Sequence, residues 1–101
     1  MPNLNYNRGR ALEYRVMKHF RAEGYEVFRS AGSHSKADVI AMRKTLVGDE
    51  GHISTKVVLI QCKTGKGLMT KKEREEFYSY AEGLGCKGLI AYRETRQLIL
   101  E

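Results

Sequence analysis

The chain has 101 residues, enough for one modest core and hence for one domain spanning residues 1–101. Its 42% hydrophobic content rules out a disordered chain. A formal net charge of +6 admits two readings: a surface that meets phosphate backbones, or a merely solvated basic one.

The first ten residues are polar and lack a signal-peptide apolar region. No apolar run reaches the ~20 residues that cross a bilayer, so an intracellular setting is expected. Residues 9–23 predict a helix, with Leu12, Val16 and Phe20 at fourfold spacing, Met17 beside them and Gly24 as the stop. Glu13 borders that apolar stripe. A carboxylate there is costly unless it meets a partner, which is either a basic side chain or a metal. Residues 25–30 (YEVFRS) alternate as a strand, 31–36 (AGSHSK) form a loop, and 37–42 (ADVIAM) form a second strand. Residues 43–55 are polar with Gly48 and Gly51, and predict a long hairpin loop. Residues 56–63 (KVVLIQCK) are the most apolar strand, expected at the centre of the sheet.

After a basic loop at 64–69, Thr70 to Glu73 fits a capping box that opens a second helix. Its predicted buried stripe is Phe77, Tyr80, Ala81 and Leu84, with Gly83 and Gly85 ending it. Residues 87–92 and 96–100 complete the strands. The order α-β-β-β-α-β-β predicts an α/β fold, a mixed sheet flanked by helices. Two cysteines, Cys62 and Cys86, do not make a disulfide framework and read as buried reduced thiols.

Strand alternation puts Gln61 and Lys63 on one face. If the second and third strands pair as an antiparallel hairpin with Met42 facing Val57, Asp38 falls opposite Gln61. An acid, an amide oxygen and an ammonium then meet at one end of the hairpin, within reach of Glu13. Oxygen ligands suit Mg²⁺ or Mn²⁺, and a lysine beside them orients a water or stabilises developing charge. That is the chemistry of phosphodiester hydrolysis. The spacing D-x(22)-Q-x-K is loose, and the bland alternative is that Asp38 caps a turn while Gln61 and Lys63 decorate a sheet.

Three segments in order carry a family resemblance. GRALEYRVMKHFRAEGYEVFRSAGSHSKADVIA (9–41) resembles the opening of archaeal-type Holliday-junction resolvases. LIQCK (59–63) resembles their (E/Q)-x-K strand, and TKKEREEFYSYAEGLG (70–85) the helix after it. The resemblance runs from residue 8 to about 92. It implies a restriction-endonuclease-like PD-(D/E)XK core and a Mg²⁺-dependent endonuclease, with Mn²⁺ as substitute, acting on branched double-stranded DNA as a homodimer. Residue by residue, it implies that Glu13, Asp38 and Gln61 are metal ligands. Ser33 would be a contact near the scissile phosphate, and Lys63 the catalytic lysine. One departure stands out: residue 61 is Gln where these resolvases usually carry Glu, so the site would hold two carboxylates and a neutral amide. Longer relatives also extend past the last strand.

Arg8, Arg10, Arg29, Lys36, Arg43 and Lys44 flank the proposed site in sequence, and Lys66, Lys71 and Lys72 follow it. With Ser33 they are the expected DNA contacts. Lys71 and Lys72 also have Glu75 and Glu76 at helical pairing distance. His34 sits in the AGSHSK loop and reads as a loop residue, while His19, His34 and His52 show no zinc spacing. Two other readings stand beside the resolvase. One is an Mrr-like or repair-type nuclease acting on other DNA structures. The other is a non-catalytic DNA-binding module of the same fold, its site weakened by Gln61.

Overall fold

A computed structural model describes residues 4–30, 36–48, 51–64 and 69–101, without the side chains of residues 4–8 and Val47. Ser33, His34 and Lys66 lie outside the described residues, as does the side chain of Arg8. The chain runs α1 (Leu4–Ala22), β1 (Glu26–Arg29), β2 (Val39–Val47), β3 (His52–Cys62), α2 (Lys71–Gly83), β4 (Lys87–Glu94) and β5 (Gln97–Leu100). This is the expected element order.

The five strands form one mixed sheet in the order β1-β2-β3-β4-β5. All neighbours are antiparallel except β3 and β4, which run parallel and need the α2 crossover between them. The apolar strand β3 is central, as predicted. Alternation along β2 and β3 sorts the core into two layers. Val39, Ala41, Val58 and Ile60 pack with Leu12, Val16, Met17 and Phe20 of α1, and Leu59 and Ile90 pack with Phe77 and Ala81 of α2. One helix therefore covers each face.

Local chemistry sets the element ends. Gly24, at φ +87°, lets the chain leave α1, and Tyr25 N donates back to the Phe20 carbonyl at 3.0 Å. Thr70 Oγ1 accepts from Glu73 N at 3.1 Å and donates to Glu73 Oε1 at 3.2 Å, so the N-cap half of the box read from the sequence forms, with the Glu73 carboxylate on the hydroxyl of Thr70.

Several expectations need correction. α1 starts at Leu4 rather than residue 9, because backbone hydrogen bonding continues upstream of the apolar stripe. The predicted long loop at 43–55 is mostly strand: β2 runs on to Val47 and β3 begins at His52. The outer rungs are exposed, with Leu46 and Ile53 each 69% accessible. No burial pattern therefore marked them, and main-chain pairing alone extends the ladder. On α2 only Phe77 and Ala81 are buried; Tyr80 and Leu84 are exposed, because the sheet lies under one narrow side of the helix. Cys62 and Cys86 are free thiols, half-buried rather than buried. No described helix is long and apolar enough to cross a membrane.

Candidate active site

The β2–β3 ladder pairs Met42 with Val57, and paired residue numbers sum to 99 throughout. That is the register expected from the sequence. Its last full rung is Val39–Ile60; one step further, Asp38 N donates to the Ile60 carbonyl at 2.9 Å. Asp38 thus stands at the end of the hairpin against Ile60, one position short of the Gln61 partner expected from the sequence, because the regular ladder stops at Val39. Its side chain turns in along the strand edge, where Oδ2 accepts from Cys62 N at 2.8 Å. The carboxylate occupies the position of the next ladder acceptor. Gln61 and Lys63 are both half-buried. Lys63 N donates to the Ala91 carbonyl at 2.9 Å, which keeps it extended beside β4.

Glu13 approaches from α1. Its carboxylate is ion-paired with Arg29, Oε2 to Nε at 2.5 Å, the two side chains being 15% and 21% exposed. The basic partner foreseen for a carboxylate beside the core is therefore present, and it comes from the end of β1. Burial pushes the Asp38 carboxyl above its ordinary range; the Cys62 amide pulls it down, Glu13 adds to the rise, and Lys63 and Arg29 oppose it. Two acids, a lysine and an arginine therefore share one electrostatic neighbourhood. Burial, with Asp38 and Glu13 nearby, also drives the Cys62 thiol strongly upward, so it stays protonated.

Tyr14 joins this group, and the sequence reading missed it. Arg10 donates to its hydroxyl from Nε at 3.3 Å and Nη2 at 3.2 Å, and the Arg10 and Arg29 guanidinium carbons each lie 5.6 Å from its ring centroid. The Arg10 bond holds the phenol below its ordinary range. A tyrosine next to a catalytic-pattern glutamate, with Arg10 one helical turn before it, was visible in the sequence; that Arg29 would join them from β1 was not.

The remaining basic residues divide. Lys36 and Lys72 line a shallow open groove with Glu75, Glu76, Ser79 and Tyr80, and Lys36 Nζ lies 4.9 Å from the Tyr80 ring centroid. Lys71 and Lys72 occupy the first turn of α2, where the helix dipole disfavours cations. Neither is ion-paired with Glu75 or Glu76 among the described residues. Arg43 and Lys44 do not join the site. They lie along β2, about 16–20 Å from Asp38 at ~3.3 Å per residue. Arg43 also donates to the Glu23 carbonyl at 3.0 Å and covers the Tyr25 ring, anchoring the end of α1.

The sequence profile of the archaeal Holliday junction resolvases (Hjc) matches residues 4–100. The chain belongs to that family. It is similar to the crossover junction endodeoxyribonuclease Hjc of Methanocaldococcus jannaschii, 29% identical over 97 residues that cover 93% of this chain and 65% of the relative. It thus spans just under two thirds of that relative's length. The solved structure of Hjc from Archaeoglobus fulgidus, a Holliday junction resolvase from an archaeal hyperthermophile, has the same fold. The TM-score is 0.63 at 21% identity, over 92% of this chain and 70% of that one. The mixed α/β architecture expected from the sequence is therefore the Hjc architecture.

Proposed function

We propose that this chain is a structure-selective DNA endonuclease that resolves four-way junctions by paired phosphodiester hydrolysis. It would work in an intracellular setting, as a homodimer with one site per subunit. The observation that carries the reading is the convergence of Asp38, Glu13 and Lys63 at the end of the β2–β3 hairpin, in a chain of the Hjc family.

The donor chemistry fits a hard divalent cation such as Mg²⁺ or Mn²⁺. Asp38 and Glu13 offer carboxylate oxygens and Gln61 an amide oxygen, the ligand type these ions take. The raised pKa of the Asp38 carboxyl marks a place where a cation would relieve both burial and the repulsion from Glu13. When bound there, the ion supplies Lewis acidity toward the phosphoryl group and eases loss of a proton from water. The protein does the rest. Cys62 N fixes one Asp38 oxygen and leaves the other to bind. Arg29 holds the Glu13 carboxylate in place. Lys63 presents a cation to the attacking water or to charge building on phosphate. Arg10, Lys36 and Lys72 are suited to the flanking phosphates.

The test is cleavage of an end-labelled four-way junction beside linear duplex of the same sequence, in Mg²⁺ and in EDTA. Symmetric nicks in the junction with Mg²⁺ alone, lost on Lys63→Ala with junction binding kept, are expected. Equal cutting of linear duplex would shift the reading to a repair-type or Mrr-like nuclease. One observation favours a second reading: Gln61 leaves the site with only two carboxylates, as a retired nuclease that still binds DNA would have. Tight junction binding without cleavage at any Mg²⁺ or Mn²⁺ concentration would establish it.

A further inference from the structure

The β4–β5 turn is built against its own backbone preference. Glu94 pairs with Gln97, so Thr95 and Arg96 form a two-residue connection, and both have positive φ, 49° and 67°. Glycine and asparagine adopt this turn at little cost, whereas β-branched and long side chains resist it. Strain of that kind persists where the surrounding structure enforces it, and it accumulates at sites of function.

The topology places the turn beside the candidate active site. β3 and β4 run parallel, so their C-terminal ends lie together. Lys63 N bonds to the Ala91 carbonyl, and the turn stands about three residues beyond that rung, roughly 10 Å at ~3.3 Å each. Arg15, two residues after Glu13 on α1, reaches across and donates from Nη2 to the Arg96 carbonyl at 2.9 Å. The helix that carries Glu13 thereby also holds the turn. Both arginines are exposed, and the Arg96 side chain makes no hydrogen bond or ion pair with any described residue.

We infer that Arg96, displayed by this strained turn and held there by Arg15, contacts a backbone phosphate of the bound DNA on the side of the site opposite Arg29. The inference rests on the DNA-directed reading above and deepens it. Arg29 is level with Leu89 across the sheet, so the turn lies four strand spacings to the side, about 19 Å at ~4.8 Å each, and about five residues further along the strands, roughly 17 Å at ~3.3 Å each. The straight separation is then roughly 25 Å, about seven nucleotides at ~3.4 Å of rise along a duplex axis, so the two edges of the sheet would grip the backbone on either side of the cut. In this arrangement Arg96 touches DNA and Arg15 is a positioning residue.

Arg96→Gly separates strain from binding, because glycine suits the turn while removing the cation. Thermal unfolding should show a raised Tm. Binding of a four-way junction, measured in Ca²⁺ or EDTA so that no cleavage is needed, should weaken about tenfold at moderate salt. The slope of log K against log[salt] should fall by about one phosphate contact. Arg96→Lys should keep most of the slope. Arg15→Ala should weaken binding in the wild type and add little in the Arg96→Gly background. Unchanged affinity and slope in Arg96→Gly would overturn the inference, as would a lowered Tm accounting for the weaker binding. Failure of the wild type to cleave would sink the nuclease reading but leave this binding comparison intact.

Discussion

Asp38 pays for its position. Burial raises its carboxyl pKa in the folded chain, so the native state holds the proton more tightly than the unfolded chain does. Stability contributed by this group is greatest at low pH and declines as pH rises from the unfolded carboxylate value of ~3.9 through the raised folded one. Asp38→Asn removes that penalty and keeps an oxygen for the Cys62 amide. Its Tm should match the wild type near pH 3 and exceed it at pH 7, with cleavage abolished; a lower Tm at pH 7 would show that the charge stabilises the fold. Gln61 gives a second test. Gln61→Glu adds an anion beside Asp38 and should lower the metal concentration for half-maximal cleavage severalfold, read by metal titration of both forms. Much of this site was legible beforehand. The register followed from matching two apolar runs, and Glu13, Asp38, Gln61 and Lys63 followed from pattern and resemblance. The Cys62 amide holding Asp38 was not legible, because a main-chain donor leaves no mark in residue identities. Nor was the bond from Arg15 to Arg96, formed across 81 positions by an exposed side chain.

At the scale of elements, α2 sits unusually close to the sheet at one point. A Cβ added to Gly88 would lie 2.9 Å from Ala81 Cβ and 3.3 Å from Phe77 Cε2. Gly88→Ala should therefore push the helix off β4 and destabilise the chain by about 1–3 kcal/mol, measured by urea unfolding; a neutral effect would show that the helix shifts freely. The same helix is fastened at its flank by Glu101, which accepts from Arg74 at 2.7 Å and from Tyr92 at 2.6 Å, while its carbonyl accepts from Tyr78 at 2.9 Å. Both helices and all five strands were foreseen, since each has apolar residues at the right period. What escaped was the outer hairpin, where polar and exposed residues read alike as loop or as solvated ribbon.

For the whole molecule, symmetry is the open quantity. Two cuts placed symmetrically on a junction call for two equivalent sites, which a twofold dimer supplies. The surface has apolar material for such a contact in Leu84, 59% exposed at the C-terminal cap of α2. Sedimentation should give a dimer, free and on a junction. A monomer in both states would count against paired cleavage and favour a nuclease that acts on single lesions.

The β2–β3 ladder has a consequence for how such a chain can evolve. Its buried rungs, near Val39–Ile60, fix where Asp38 and Gln61 come to lie, while outer rungs such as Leu46–Ile53 are exposed. Residues can be gained or lost at the outer end, in equal number on the two strands, without altering which residues meet at the other. The count of residues between Asp38 and Gln61 is thus free to drift across descendants, while the pairing that assembles the chemistry stays put. A search that demands a fixed gap between those two positions will overlook kin whose ribbons are merely shorter or longer.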